Sequence, residues 1–331
     1  MHESAFWTTP VLASVRPVVE HARHVTTHPE AVRSVAGWMA YEEFGLPDGM
    51  LQFDLGSDLD LLTDTIMFVS LLNFAFTDFT TRVKYEVDYF GKRWTDSEGM
   101  FANIHEAIVT GVPILDGAWM AKVDRAGLER LFRGTIEMPM LDERVQVLND
   151  AGAVLLARYG GRFHNWVQAC APAMYAGGDG LLERLVTEFP RFNDVSTYDG
   201  HQVRLFKLAQ LSLWSLHAIH SRLGGIAIRD LSNMTAFADY IVPVGLRVMG
   251  ITSYTPELEA RINRGDIIHR DSAEEIEIRA HTLYATALLT EEINKLRPSD
   301  MQLVIPQVDY RFWKTYHATF WPHHLTRTVM Y

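Results

Sequence analysis

An acidic side chain between two aromatic residues is the feature of this sequence best suited to chemistry. Asp239 lies between Phe237 and Tyr240, and Pro243 follows closely. Because proline interrupts helical hydrogen bonding, Asp239 is expected near a helix break, where a carboxylate can be aimed into a cleft. There it could stabilise positive charge, attack an electrophilic carbon or activate a water molecule. A helix cap or a surface acid explains the local sequence equally well.

A second acidic residue, Asp230, competes for the same role. It precedes a Leu-Ser-Asn-Met-Thr segment, where the N-cap of a helix is expected. We therefore interpret Asp230 as a cap and keep Asp239 as the candidate for chemistry.

Lys207 borders a largely apolar helical stripe. The segment 203–223 is predicted to be one long helix, closed by Gly224-Gly225. Its stripe of neighbours at helical spacing is Leu205, Leu208, Ser212, Leu216 and Ile219. A cation beside such a stripe must extend its ammonium group to solvent or find an anion. On local sequence alone, extension to solvent is the preferred interpretation.

Several common sites are absent from the sequence. It contains no GxGxxG segment, no Walker loop and no GxSxG elbow, so dinucleotide, P-loop and serine-hydrolase interpretations lack support. The one metal-like histidine spacing is His21, His24 and His28. His28 precedes Pro29, the expected first residue of a new helix, and so leaves the face shared by the other two. Solvated histidines are the preferred interpretation, and we predict neither a metal nor a cofactor.

Length and composition indicate a chain that can bury a large core. The chain has 331 residues, of which 48% are hydrophobic, enough for one domain over 1–331 or for two closely packed lobes. A single cysteine, Cys170, fits a reducing compartment. No apolar run approaches the length of a membrane span, and the first residues lack the order of a signal peptide. A cytoplasmic protein is therefore expected.

The charge balance disfavours nucleic acid as a partner. The net charge is -11, from 41 acidic and 30 basic residues, and no run of basic residues occurs. Proteins that grip nucleic acid usually neutralise phosphates with a basic stripe. A small polar molecule held in a pocket of a monomer is the expected partner.

Helical periodicity dominates the element pattern. Besides 203–223, helices are predicted over 97–110, 142–159, 255–262 and 273–296. Alternation over 82–94 predicts a β-hairpin, and Tyr198-Asp-Gly200 indicates a second turn. The predicted fold is mainly α, a single helical domain with one or two small β-hairpins.

A set of short segments gives the sequence a family resemblance. They are Leu72-Asn-Phe-Ala-Phe76, Asp142-Glu-Arg144 with Tyr159-Gly-Gly-Arg-Phe163, the stretch from Asp230 to Tyr240, Glu275-Ile-Glu-Ile-Arg279, Asp309-Tyr-Arg-Phe-Trp313, Pro322-His-His-Leu-Thr-Arg327 and Tyr331. No segment is diagnostic alone, but their order and spacing resemble the queuosine 5'-phosphate N-glycosylase family, the queuosine salvage proteins. The sequence departs from the family mainly before residue 60.

The resemblance implies a fold, a reaction and a catalytic residue. The family's fold is similar to helix-hairpin-helix DNA glycosylases. Its reaction hydrolyses the N-glycosidic bond of queuosine 5'-monophosphate and releases queuine, a 7-deazaguanine base. The position matching Asp239 carries the catalytic role, and the one matching Lys207 binds the 5'-phosphate. Breaking an N-glycosidic bond leaves positive charge on the sugar, which a nearby carboxylate stabilises.

The base requires flat partners and hydrogen bonds. Phe237 could stack on it, with Tyr240 as a further substrate contact, and Asp309 could accept hydrogen bonds from the amino and ring N–H groups of the base or from its cyclopentenediol arm. A 7-deaza base cannot be protonated at position 7, so other hydrogen bonds must stabilise it as it departs. Trp313 could supply one through its indole N–H, although core packing explains it equally well. Asn73 is a weaker substrate-binding candidate, because an Asn in an apolar run is often a satisfied buried amide.

The sequence is compatible with two alternative functions. One is a non-catalytic protein that binds a modified base or nucleotide. The other is a DNA or RNA base-excision glycosylase, which must flip a base and grip a backbone. The charge of -11 argues against the second. Glu143-Arg144 and Glu277 with Arg279 are interpreted as structural ion pairs or networks.

Overall fold

Helices make up most of the protein. The computed structural model describes residues 6–45, 52–317 and 319–331. Its helices are α1 (Pro10–His21), α2 (Pro29–Met39), α3 (Leu59–Leu72), α4 (Asp96–Val109), α5 (Gly117–Met120), α6 (Arg125–Leu131), α7 (Leu141–Arg158), α8 (Phe163–Gln168), α9 (Leu181–Glu188), α10 (Lys207–Leu223), α11 (Val242–Val248), α12 (Pro256–Arg264), α13 (Ala273–Leu296) and α14 (Ile305–Tyr316). The predicted mainly α class is confirmed, while the likeness to DNA glycosylases stays a prediction.

The strands of the described residues form three antiparallel pairs. They are β1 (Val25–Thr27), β2 (Glu86–Tyr89), β3 (Lys92–Thr95), β4 (Val195–Tyr198), β5 (His201–Arg204) and β6 (Thr252–Tyr254). Both predicted hairpins are present, as β2–β3 and β4–β5. The third pair joins β1 to β6, with Thr26 opposite Ser253. Local sequence could not predict this pair, because its strands lie far apart along the chain.

The long periodic helices lie where the sequence predicted them, with one correction. The predictions for 97–110, 142–159, 255–262 and 273–296 correspond to α4, α7, α12 and α13. The helix predicted over 203–223 instead begins at Lys207. Residues His201–Arg204 pair with Val195–Tyr198 across the Asp199-Gly200 turn, and Phe206 has a φ of +47°. The hairpin turn therefore outweighs the helical spacing at 203–206.

The chain divides into two compact units. The first contains the described residues of Met1–Pro47, Asp194–Gln210 and Asp230–Arg327. The second contains those of Asp48–Asn193, Leu211–Arg229 and Thr328–Tyr331. The prediction of one domain, with two packed lobes as its variant, stays a prediction.

Helix α13 is the centre of the first unit. Its second half packs with α2, α11 and α14 in one apolar core, through residues such as Leu289, Val308 and Phe312. Gly245 of α11 permits the contact with α14, because a Cβ there would lie 2.4 Å from the Phe312 ring. The absence of a side chain at Gly245 thus sets how closely these two helices approach.

The first half of α13 carries buried polar groups. Glu277 accepts hydrogen bonds from the backbone N–H groups of Arg23, His24 and Val25 at 2.6–3.1 Å and from the Tyr198 hydroxyl at 2.8 Å. Its carboxylate therefore orders the connection from α1 to β1. The ion pair between Glu277 and the Arg23 side chain is long, at 4.0 Å. Glu277 therefore serves mainly as an acceptor for backbone N–H groups.

Two buried histidines of this unit should make its stability depend on pH. Burial lowers the pKa of His281 to about 4, and burial together with nearby cations lowers the pKa of His324 to about 3. An unfolded histidine titrates near pH 6.5. Between pH 6.5 and 4 the unfolded chain therefore binds protons that the folded protein does not. The free energy of unfolding should fall on acidification by about 1.4 kcal/mol per pH unit for each such group.

Replacing one of these histidines tests that dependence. In His281→Phe, the slope of unfolding free energy against pH should decrease by about 1.4 kcal/mol per pH unit, the contribution of one proton. Urea titrations from pH 6.5 to 4.5 measure this slope. His201→Gln is the matched control, because His201 is exposed. Parallel curves for His281→Phe and the unsubstituted protein would contradict the assignment.

The second unit is organised around Arg144 on α7. This arginine is fully buried, and its guanidinium donates to the carbonyl oxygens of Leu72, Phe74, Ala75 and Pro139. It also lies over the Phe74 ring, with 4.2 Å from Cζ to the ring centroid. The expected structural network around Arg144 is present, with carbonyl groups as its acceptors. It shapes the chain that follows α3, where Asn73 is the C-cap residue.

Among the described residues, no helix has the length and apolar character needed to cross a membrane.

Candidate active site

A buried segment without helix or strand belongs to the first unit. Thr235–Asp239 follows a 3₁₀ turn, Leu231–Asn233, and leads to α11, and all five of its residues are buried. We call it the 235–239 segment. Backbone polar groups in such a segment need partners from elsewhere, because neither a helix nor a sheet supplies them. Those partners determine the geometry of the site.

Side chains from three helices supply these partners. Gln210 of α10 accepts from the Thr235 N–H at 2.9 Å and also bonds its hydroxyl. Asp309 of α14 accepts from the Phe237 N–H at 2.8 Å. Arg279 of α13 donates through Nε to the Ala238 carbonyl oxygen at 3.0 Å. The segment is therefore held at three of its five residues by long-range contacts.

The two oxygens of Asp239 have different environments. Oδ1 accepts from the N–H groups of Ile241 and Val242 at 2.7 and 3.0 Å, just where α11 begins. Oδ2 accepts no hydrogen bond from any residue that the structure describes, and the residue is 6% exposed. One oxygen thus fixes the side chain to the start of α11, which leaves the other for a ligand.

The predicted helix break beside Asp239 is wrong in detail. Pro243 lies in the first turn of α11, so Asp239 precedes a helix start. Proline is tolerated there, because the first N–H groups of a helix have no partner within it. Asp230 holds the N-cap position of the 3₁₀ turn, but its side chain makes no capping bond and instead accepts from Asn233 Nδ2 at 3.1 Å.

Asp309 is the second buried carboxylate of the site. It is 3% exposed, and its Oδ2 accepts the Phe237 N–H. Burial, and then the negative charge of Asp239, raise the pKa of Asp309 well above its usual range, while the Phe237 hydrogen bond and the charge of Lys207 lower it less strongly. These effects shift Asp309 towards its neutral acid form relative to an exposed aspartate. These interactions also show that Asp239, Asp309 and Lys207 lie within electrostatic reach of one another.

Lys207 is the first residue of α10 and is only 7% exposed. Arg204 and Leu205, which lie in the helix predicted over 203–223, precede the observed helix. The ammonium group is within the first unit, where its charge acts on Asp309. A buried ammonium group of this kind can bind an anionic group of a ligand. The local sequence alone had favoured a side chain that extends to solvent.

The remaining predicted residues stand in different relations to this cluster. Tyr240 is half-buried, with its ring 4.6 Å from that of His323. Trp313 is 37% exposed and its ring centroid lies 4.7 Å from that of His317, so core packing, the alternative to substrate binding, does not describe this ring. Asn73 belongs to the second unit. The structure thus brings together Asp239, Phe237, Lys207 and Asp309.

The sequence did not identify three further residues as part of the site. Gln210 and Asp194 gave no signal, since a lone Gln in a helix and a lone Asp before a strand are common. Arg279 was expected in a structural ion pair or network with Glu277, and its salt bridges are to Asp194 and to Glu275 four residues earlier. That spacing signals a pair on one helix face, but it cannot indicate the contact with Ala238.

In the described part of the chain, no group of three or more His, Cys, Asp or Glu side chains could hold a metal ion.

Comparison with known proteins identifies the family. The family model described as queuosine salvage protein matches residues 56–331, and the chain belongs to this family. A protein of Sphaerobacter thermophilus named queuosine 5'-phosphate N-glycosylase/hydrolase is 32% identical over 325 residues, covering 97% of each chain. The mouse protein of the same name is 27% identical over 91% of this chain and 90% of its own, and the Schizosaccharomyces pombe one is 27% identical over 76% and 73%.

Proposed function

We propose that this protein hydrolyses the N-glycosidic bond of queuosine 5'-monophosphate, yielding queuine and ribose 5-phosphate. Similarity to a relative of that name over 97% of the chain supports the substrate class. The pairing of two buried carboxylates with a buried lysine around the 235–239 segment is the observation that carries the reaction. The proposed cellular role is to return queuine for use in tRNA.

Asp239 faces the sugar in this proposal. As the bond from C1' to the base breaks, its electron pair moves to the base and positive charge develops on the sugar. The Asp239 oxygen that is not bound to the start of α11 can stabilise this charge, attack C1' or accept a proton from water. In every case water finally supplies the hydroxyl group on C1', and the base gains a proton.

Asp309 and Phe237 serve the base. A departing 7-deazaguanine cannot accept a proton at position 7, so a donor elsewhere is needed. The raised pKa of Asp309, caused mainly by burial and then by the charge of Asp239, favours the neutral acid that could donate to the base. Phe237, Tyr240 and Trp313 offer aromatic surfaces for stacking, and Asn73 stays a weaker candidate.

Lys207 binds the 5'-phosphate in this proposal. The ammonium group lies near Asp239 and Asp309, and one proton bound to these two carboxylates brings the net charge of the three side chains to zero. A phosphate dianion would add favourable contacts to the lysine, since charge-assisted hydrogen bonds are among the strongest in proteins. We also propose a monomer that does not bind nucleic acid, consistent with a net charge of -11.

Incubation with queuosine 5'-monophosphate tests the function. We expect free queuine and ribose 5-phosphate to appear in equal amounts. Liquid chromatography with mass detection measures both products. Tight binding without release would support a non-catalytic binding protein. Release from a queuosine-containing oligonucleotide at physiological salt, but not from the nucleotide, would support a base-excision enzyme.

A further inference from the structure

A buried ion pair connects two parts of the candidate site. The Asp194 carboxylate contacts Arg279 through both oxygens, with 3.2 Å between Oδ1 and Nη1 and a second contact between Oδ2 and Nη2. Both side chains are at most 2% exposed. A bidentate pair of this kind fixes the orientation of the guanidinium group as well as its position.

The first connection leads to Asp239. The Nε of Arg279 donates to the carbonyl oxygen of Ala238 at 3.0 Å, one residue before Asp239. Asp194 accepts from Nη1 and Nη2 of the same guanidinium group, so it sets the direction in which Nε donates. The backbone that carries the candidate catalytic carboxylate is thereby positioned from Asp194.

The second connection leads to Lys207. The backbone carbonyl oxygen of Asp194 accepts from the N–H groups of Leu205 and Phe206 at 3.0 and 3.3 Å. Phe206, whose φ of +47° is uncommon for a residue with a side chain, immediately precedes Lys207. These bonds hold the backbone in the conformation that starts α10 at Lys207. Asp194 therefore contacts Phe206, next to Lys207, directly, and is linked through Arg279 to Ala238, next to Asp239.

We propose that the Asp194–Arg279 pair is a positioning device that fixes the separation between the Asp239 carboxylate and the Lys207 ammonium group. This inference rests on the proposed function of the site. Binding energy from a remote phosphate assists bond cleavage only when the phosphate-binding group and the reacting group are held in a fixed relation. Asp194 and Arg279 are positioning residues, since neither has to touch the substrate for this role.

A purely structural role makes a different prediction. Loss of a buried ion pair would then lower the amount or stability of folded protein and reduce activity on all substrates equally. A positioning role instead lowers the advantage that the 5'-phosphate gives. The discriminating quantity is the ratio of kcat/KM for queuosine 5'-monophosphate to kcat/KM for queuosine.

Asp194→Asn is the test variant, because it keeps the size of the side chain and the backbone carbonyl but loses the charge and one acceptor. We expect the ratio to fall by about 10-fold to 100-fold, the scale associated with a misplacement near 1 Å. The matched control is Glu275→Gln, which also neutralises a carboxylate in contact with Arg279, at 3.4 Å. Glu275 lies within α13, whereas it is the carbonyl oxygen of Asp194 that accepts from residues 205–206. Its ratio should stay within about twofold of the unsubstituted protein.

A binding measurement separates this inference from the proposed function. Calorimetric titration with ribose 5-phosphate needs no turnover, and Asp194→Asn should weaken this binding whereas Glu275→Gln should not. Equal ratios and equal affinities in Asp194→Asn and the unsubstituted protein would overturn the positioning role, even if queuine is released normally. Should Asp194→Asn fail to fold, Arg279→Lys keeps the charge, loses the bidentate geometry, and is expected to give the same fall in both readouts.

Discussion

Asp239→Asn should reduce kcat for queuine release by about 10³-fold or more, the scale of losing a group that stabilises transition-state charge. The amide keeps one carbonyl oxygen, which can still accept the N–H groups of Ile241 and Val242. The start of α11 should therefore be preserved, and the melting temperature should change little. What disappears is the negative charge of the second oxygen, the part of the side chain proposed to face the sugar.

Single-turnover kinetics and calorimetry together check this expectation. Affinity for queuosine 5'-monophosphate should stay within about tenfold, because uniform binding contacts are retained. Asp230→Asn is the matched control, since Asp230 is the carboxylate that competes with Asp239 in the sequence, and it accepts a hydrogen bond from Asn233. We expect it to retain nearly full activity. A near-normal rate in Asp239→Asn would show that the catalytic assignment is wrong.

Lys207→Ala should remove most of the preference for a phosphorylated substrate. The loss of a charge-assisted contact to phosphate costs about 1.5–3 kcal/mol, or roughly 10-fold to 150-fold in kcat/KM. The rate on unphosphorylated queuosine should fall far less, because that substrate offers the ammonium group nothing to bind. Steady-state kinetics on both substrates provide the measurement.

Two companion variants separate charge from volume. Lys207→Met keeps most of the buried side-chain stem, and we expect it to behave as Lys207→Ala does towards phosphate while folding more stably. Arg204→Ala removes an exposed cation three residues away and should leave the substrate preference unchanged. Equal losses on both substrates in Lys207→Met would show that Lys207 does not bind the phosphate.

Much of the fold followed from local rules. Helices such as α7 and α13 were predictable because their apolar spacing is regular and glycine or capping residues mark their ends. The β4–β5 hairpin was predictable from its Asp-Gly turn, but the same turn shortened the helix predicted over 203–223. The β1–β6 pair was not predictable, since it depends on residues brought together only by folding.

The site was predictable in its residues more than in its geometry. Family resemblance supplied Asp239, Lys207 and Asp309, whereas their mutual electrostatic contact needed the structure. The contact of Arg279 with Ala238 could not be inferred, because a backbone carbonyl leaves no mark in the sequence. The exposure of Trp313 was likewise hidden, since the α14 sequence does not specify which face is covered.

The tethers of the 235–239 segment have a consequence for how the protein folds. Gln210, Arg279 and Asp309 lie 25, 41 and 72 residues along the chain from the residues that they hold. Each contact closes a long loop, and the entropy of that closure must be overcome before the contact stabilises anything. Activity should therefore be among the last properties to return on refolding, after most of the helical signal has been recovered.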